Sequence, residues 1–139
     1  MEENTNLNIG GILAPVDEKT ARLKNPVVLA FIGDTVYDLF IRANLVKTSG
    51  EHVHALNKKA RSFVNAEAQA RFSEKIEFTE DELSVFKRAR NAKVGTTAKN
   101  MSVTDYHKAT GLEAVIGYLY LTGQHERLEE IFERILENG

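Results

Sequence analysis

Three acidic residues attract attention because each lies in a strongly apolar stretch. Asp34 and Asp38 are one helical turn apart in "LAFIGDTVYDLF", residues 29–40, and Glu113 is the one charged residue of "GLEAVIGYLYL". Burying an unpaired carboxylate costs several kcal/mol, so each needs a partner. Oxygen ligands converging from two helices suit Mg²⁺ or Mn²⁺, which makes Asp34 and Glu113 candidate metal ligands. The alternative is structural: a basic side chain or a helix cap would hold each carboxylate.

Asp38 has a local partner, whereas the other two acids have none nearby in sequence. Arg42 follows Asp38 by four residues, the spacing of an ordinary helix ion pair, so a structural and a functional role stay equally open for Asp38. Gly33 precedes Asp34 and removes a side chain, so that another helix or a ligand can approach. The sequence therefore predicts a crowded carboxylate at Asp34.

Basic residues cluster in two stretches without any acid, although the net charge of the chain is -2. Such stretches suit contacts to nucleic-acid phosphates, while the alternative is a solvated surface. Aromatic residues do not alternate with these charges, which favours backbone recognition of a duplex over stacking on single strands. The predicted RNA-binding residues are Lys58, Lys59, Arg61, Arg88, Arg90, Lys93, Thr96, Thr97 and Lys99.

Other kinds of chemistry find little support in the sequence. The chain has no cysteine, which excludes disulfides and thiolate metal sites. His52 and His54 are two residues apart and would face apart on a helix, so we expect surface roles for them. No phosphate-binding glycine loop and no nucleophile elbow occurs. Charges interrupt the most apolar segment and no signal peptide is evident, so we expect a cytoplasmic protein without a membrane span.

Apolar periodicity and capping residues predict an all-α protein with one domain over residues 21–139, preceded by a loosely ordered segment, residues 1–20. Asn25 and Pro26 begin a largely apolar helix that should be central or at a subunit interface. Thr79 and Glu82 form a capping-box pattern. The predicted helices cover residues 26–46, 51–64, 66–76 and 124–136. A further helix of about three turns begins at residue 80, and another begins at residue 102 or 104 and ends at residue 122. We expect an ordered basic loop at "VGTTAKNMS".

Three of these segments, in this order, resemble the ribonuclease III family. "LAFIGDTVYD" is similar to its signature helix, "ATGLEAVIGYLYL" to the later helix that supplies another metal-binding carboxylate, and "RARNAKVGTTAKN" to a segment typical of the Mini-ribonuclease III subgroup. The resemblance runs from about Val27 to the C-terminal region. We also expect no double-stranded RNA-binding domain after Gly139, as in that subgroup.

The resemblance implies an all-helical homodimer, with the ribonuclease III endonuclease-domain bundle, that holds double-stranded RNA across a valley formed by both subunits. Each metal-dependent site would hydrolyse one strand by a metal-activated water, leaving a 5'-phosphate. Asp34 and Glu113 match metal ligands of the family, with Mg²⁺ the expected ion and Mn²⁺ possible, and Asp38 would orient a water at the metal. The implied substrate is the stem flanking precursor 23S rRNA.

Two positions depart from the family pattern. Ribonuclease III usually has a glutamate where this chain has Ala30 and an aspartate where it has Thr110. The ligand set is therefore thinner, and waters and RNA phosphates would complete the coordination of Mg²⁺. The same departures are the best argument for the alternative function, a non-catalytic double-stranded RNA-binding helical dimer. A scaffold that assembles through its apolar helices is a third hypothesis.

Overall fold

A computed structural model describes residues 11–92 and 102–139, and the secondary structure in these two ranges is entirely helical, as expected. Residues 93–101, which hold most of the predicted basic loop, and residues 1–10 lie outside the described part of the chain. The helices are α1 (Glu18–Arg22), α2 (Pro26–Thr48), α3 (Val53–Val64), α4 (Ala66–Ser73), α5 (Glu80–Arg90), α6 (Val103–Leu121) and α7 (His125–Glu137).

Helices α2 and α6 form the centre of the fold and cross with their backbones in contact. A Cβ atom at Gly33 of α2 would lie 1.6 Å from the Glu113 carbonyl oxygen of α6, and one at Gly117 of α6 would lie 2.0 Å from the Leu29 carbonyl oxygen of α2. No side chain fits at either glycine, so this close crossing depends on both. The prediction that the Asn25-capped helix is central is confirmed for α2.

Side-chain caps fix where most helices begin. Asn25 accepts a hydrogen bond from the backbone N–H of Val27, and Ser102, one of the two candidates, caps α6. The capping box is present, since Thr79 and Glu82 exchange side-chain and backbone hydrogen bonds. Helix α4 is shorter than predicted: it ends at Ser73, whereas the predicted end is residue 76.

Helix α1 lies partly in the N-terminal segment that the sequence predicts to be loosely ordered. Asp17 caps it, and Ala21 is fully buried. Just before it, the backbone N–H of Val16 donates to the Leu121 carbonyl at 2.7 Å, which ties residues 11–20 to the end of α6. A boundary at residue 20 stays a prediction for the chain as a whole.

Helix α7 covers one side of the bundle with its apolar face, which buries Leu128, Ile131, Phe132 and Ile135. Next to that face, Arg127 forms a two-pronged ion pair with Glu82 of α5, with Nε–Oε2 and Nη2–Oε1 distances of 2.9 Å each. Neither α2 nor any other helix within residues 11–92 and 102–139 is long and apolar enough to cross a membrane.

Candidate active site

The carboxyl groups of Asp34 and Glu113 lie near each other where α2 and α6 cross, close enough for Asp34 to raise the pKa of Glu113. Because Gly33 precedes Asp34 and its missing side chain lets the α6 backbone approach at Glu113, the crossing itself brings the two acids together. Asp34 is exposed, whereas Glu113 is partly buried. The two residues proposed from the sequence as converging ligands are thus neighbours.

The proximity of these acids changes the protonation of Glu113. Burial, followed by the negative charge of the Asp34 carboxylate and its hydrogen bond, raises the pKa of Glu113 from 4.5 to about 8. A hydrogen bond from Gln69 acts in the opposite direction. Two carboxyl groups this close cannot both ionise cheaply without a compensating positive charge, so the pair retains a proton near neutral pH.

Two further side chains surround Glu113, and the sequence reasoning missed both. Gln69 of α4 is 2% exposed and donates from Nε2 to Glu113 Oε2 at 3.2 Å and to the Val64 carbonyl at 2.9 Å. Tyr37 of α2 is fully buried and donates its hydroxyl to the Phe63 carbonyl at 2.7 Å. Burial, and then the charge of Glu113, raise the pKa of Tyr37 above its usual range, so its hydroxyl stays a donor.

Asp38 is engaged differently from Asp34. Both of its oxygens accept hydrogen bonds from Arg42 Nε, at 3.0 and 3.1 Å, which is the ion pair that the spacing predicts. The side chains of Arg42 and Asp38 are 56% and 41% exposed. A role for Asp38 in orienting a water stays a prediction.

The two positions at which the resemblance leads us to expect further carboxylates hold small buried side chains. Ala30 is 6% and Thr110 is 7% exposed, and the Thr110 hydroxyl donates to the Tyr106 carbonyl at 3.0 Å. Within the described ranges, no cluster of three or more His, Cys, Asp or Glu side chains is positioned to hold a metal. The site therefore offers two carboxylates, an oxygen-only set that leaves most of the coordination of a cation to water or substrate.

The predicted RNA-binding residues have several different environments. Lys58, Lys59 and Arg61 are exposed on α3, where Lys59 also pairs with Glu51. Arg88 donates to the backbone carbonyls of Arg22 and Lys24, at 2.6 and 3.0 Å, so its guanidinium holds the end of α1.

The remaining predicted contacts lie beside or beyond the end of α5. The guanidinium carbon of Arg90 lies 5.8 Å from the centre of the Phe86 ring. Lys93, Thr96, Thr97 and Lys99 lie outside the described residues. RNA contact stays a prediction for the whole group.

Comparison with known proteins assigns this architecture to a class. The chain carries the domain of ribonuclease III, because the family model described as "Ribonuclease III domain" matches residues 27–124. The crystal structure of protein FN1578 from Fusobacterium nucleatum has the same fold, with a TM-score of 0.77 and 33% identity over 84% of this chain and 95% of that chain.

Curated relatives narrow the class further. "Mini-ribonuclease 3" of Clostridium tetani is 50% identical over 81% of this chain and 76% of its own length, and that of Brevibacillus brevis is 46% identical over 81% and 85%. "Mini-ribonuclease 3" of Staphylococcus aureus is 39% identical over 83% and 89%. The chain therefore belongs to the Mini-ribonuclease 3 group of the ribonuclease III family.

Proposed function

We propose that this protein cleaves double-stranded RNA as a homodimer, with Mg²⁺ held by Asp34 and Glu113, and that it matures both ends of 23S rRNA. Family membership carries the general part: the chain is an endoribonuclease of the ribonuclease III type. The ligands, the dimer and the precursor stem are our additions. Because that precursor is made in the cytoplasm, a cytoplasmic location belongs to the same proposal.

The observation that carries the proposal is the contact between the Asp34 and Glu113 carboxyl groups. A purely structural carboxylate pair would be unfavourable, because burial and the second negative charge raise the pKa of Glu113 to about 8. A divalent cation held by the two groups would remove that cost. The donor set consists of oxygens, which fits Mg²⁺, and the scarcity of protein ligands fits an ion that keeps several waters.

Each acid has its own task in this scheme. Exposed Asp34 is accessible to an incoming phosphate and its ion, and half-buried Glu113 must release its proton before it can act as a ligand. When bound, the cation supplies positive charge that activates a water and stabilises the negative charge developing on the phosphate. Gly33 and Gly117 keep the two acids together by allowing the helices to touch.

Helix α3 is the best placed of the described basic elements to contact the RNA backbone. Lys58, Lys59 and Arg61 are exposed on it, and its last residue, Val64, accepts a hydrogen bond from the same Gln69 that contacts Glu113. Phosphate contacts of this kind should give salt-dependent affinity, with the loss of each one lowering the salt slope by about one.

An exposed apolar stripe on α2 supports the homodimer. Val28, Phe31, Leu39 and Val46 are 52%, 80%, 56% and 68% exposed, and their spacing puts them along one side of the helix. Large apolar patches are uncommon on monomers, and a second copy of the chain would cover this one next to the Asp34 turn. Phe31→Asp should therefore yield a monomer by light scattering, while Val103→Asp, a change at an apolar residue that is 56% exposed on α6, should not.

Cleavage of a long RNA duplex tests the reaction. The wild-type protein should cut it with Mg²⁺, and Asp34→Asn should not, although the variant folds with an unchanged circular dichroism spectrum. A mutant that still cuts would remove Asp34 from the proposal. A wild-type protein that binds the duplex and never cuts it would favour the non-catalytic RNA-binding dimer. The absence of carboxylates at Ala30 and Thr110 is the argument for that alternative. If the wild-type protein has no affinity for the RNA duplex at any salt concentration, the scaffold hypothesis applies.

The ribosomal RNA substrate requires a test in cells. Sequencing of 23S rRNA termini in a strain lacking this protein should reveal extensions at both ends, and a copy with Asp34→Asn should not restore mature ends. Mature ends in the deletion strain would contradict the assigned substrate and leave the duplex-cleaving activity intact.

A further inference from the structure

We propose that Gln69 is a positioning residue that fixes the Glu113 carboxylate for cation binding and anchors it to the end of helix α3. This inference rests on the proposed function, since it concerns the same site. It assigns a role to a neutral, buried side chain that belongs to no charged motif. The interactions of its amide carry the proposal.

Both N–H groups of the Gln69 amide have acceptors, one on each side of the α3–α4 junction. Nε2 lies 3.2 Å from Glu113 Oε2 and 2.9 Å from the Val64 carbonyl oxygen. Reversing the amide would turn its own oxygen toward two acceptors, so the network determines which end faces Glu113. One oxygen of Glu113 is thereby held, and the other remains available to a cation.

The end of α3 provides a rigid anchor for this arrangement. The last carbonyls of a helix lack partners within it. At α3 these carbonyls are satisfied from other elements: Phe63 by the Tyr37 hydroxyl at 2.7 Å and Val64 by Gln69. Two buried side chains from α2 and α4 thus attach consecutive carbonyls of one helix end beside Glu113. Gln69 is the member of this pair that also contacts a carboxylate.

The opposite end of the amide argues against a purely structural role. Gln69 Oε1 is buried and accepts no hydrogen bond from any group in the described parts of the chain. A side chain selected only to cap Val64 would not need to bury a second polar atom at a cost in stability. The contact that the amide gains in exchange is the one with Glu113. Groups that orient metal ligands typically change metal affinity about 10- to 100-fold when removed.

Gln69→Met tests this role because methionine keeps the approximate length of the side chain and removes the amide. Tyr37→Phe is the matched control, since it removes the neighbouring hydrogen bond to α3 and leaves the contact with Glu113 in place. Mn²⁺ binding, measured by electron paramagnetic resonance without RNA, should weaken about 10- to 100-fold in Gln69→Met and stay within about twofold in Tyr37→Phe. The Mg²⁺ concentration for half-maximal cleavage should rise by a similar factor in Gln69→Met, with much of the rate recovered at saturating Mg²⁺.

Three outcomes separate failure here from failure of the proposed function. If Gln69→Met binds Mn²⁺ as tightly as the wild type, or if both variants lose affinity equally, Gln69 does not position Glu113. If Gln69→Met does not fold, Gln69→Asn, whose shorter amide cannot span both acceptors, replaces it with the same expectation. If wild-type Mn²⁺ binding is absent or survives Asp34→Asn, the metal site itself is wrong.

Discussion

Glu82 and Glu113 are both shielded from solvent, but their partners differ. Glu82 of α5 is 2% exposed, and its oxygens accept hydrogen bonds from Arg127 at 2.9 Å and from the Thr79 backbone at 3.1 Å. Glu113 of α6 faces another carboxyl group, and the group that donates a hydrogen bond to it is the neutral amide of Gln69. Among the residues that the structure describes, a basic side chain neutralises the first carboxylate and none neutralises the second.

This difference shows that the partner of a buried acid, and not its burial, indicates a functional site. Arg127 also donates to the Glu77 carbonyl at 2.8 Å, so the Glu82 pair joins α7 to α5 and its approach. Glu113 joins two helices as well, but burial and the charge of Asp34 raise its pKa to about 8, and no basic side chain in residues 11–92 and 102–139 pairs with it. We expect stability to depend on the first acid and activity on the second.

Changing each glutamate to glutamine makes the same chemical substitution in the two places. For Glu113→Gln, cleavage of duplex RNA should fall by more than about 100-fold, because even residues behind the ligands typically change metal affinity 10- to 100-fold. Its melting temperature should be unchanged or higher, because glutamine stays neutral beside Asp34 at every pH. Single-turnover cleavage and calorimetric melting measure the two quantities. Cleavage within a few fold of the wild type would break the comparison.

Glu82→Gln should show the reverse pattern. Arg127 loses its charged partner in a largely buried setting, so we expect a loss of about 2 kcal/mol in the free energy of unfolding, after allowance for the partial exposure of Arg127. This corresponds to a fall of several degrees in melting temperature. Cleavage at a temperature where the variant is folded should match the wild type. Denaturant unfolding provides the measurement, and an equal loss of activity would show that the two acids do not have separate roles.

The raised pKa of Glu113 makes metal-free stability depend on pH. The folded protein holds this proton more tightly than the unfolded chain, so its stabilising contribution is complete below pH 4.5 and is lost as pH rises toward about 8. After allowance for solvent, the effect on the unfolding constant should reach about tenfold. The dependence of the unfolding constant on pH should be absent in Glu113→Gln and should be reduced by Mg²⁺ in the wild type. An identical slope in wild type and variant would assign the pH dependence to other groups.

The smallest effect is expected at the exposed pair of Asp38 and Arg42. Such pairs typically contribute about 0.5 kcal/mol or less, so Asp38→Asn should barely alter unfolding. If Asp38 only pairs with Arg42, then Asp38→Asn and Arg42→Gln will both cleave RNA within about twofold of the wild type. A selective loss of cleavage in Asp38→Asn would instead support its predicted role in orienting a water.

Much of the helical framework could be predicted because its determinants are local. Asn25 before Pro26, the Thr79–Glu82 capping box and Ser102 mark helix starts that the structure confirms. Helix α1 was missed because five residues carry too little periodicity to be distinguished from a loop. The proximity of Asp34 and Glu113 could only be hypothesised from the sequence, because it depends on the crossing of α2 and α6 at Gly33 and Gly117.

Gln69 and Tyr37 illustrate what the sequence cannot supply. Neither side chain interrupts an apolar stretch with a charge, and each contacts a residue distant in sequence: Tyr37 is 26 residues from Phe63, and Gln69 is 44 residues from Glu113. Their positions depend on how α2, α4 and α6 pack. The spacing of Asp38 and Arg42, by contrast, was sufficient to predict their ion pair.

Calorimetric titration of Mg²⁺ at pH 7, repeated in buffers of different ionisation enthalpy, tests the central claim most directly. If Asp34 and Glu113 hold the cation, its binding must displace the proton that Glu113 retains below a pKa of about 8. The wild type should bind Mg²⁺ with release of about one proton, Glu82→Gln should do the same, and Glu113→Gln should lose both binding and proton release. Binding of equal affinity in Glu113→Gln, or binding without proton release in the wild type, would contradict this account.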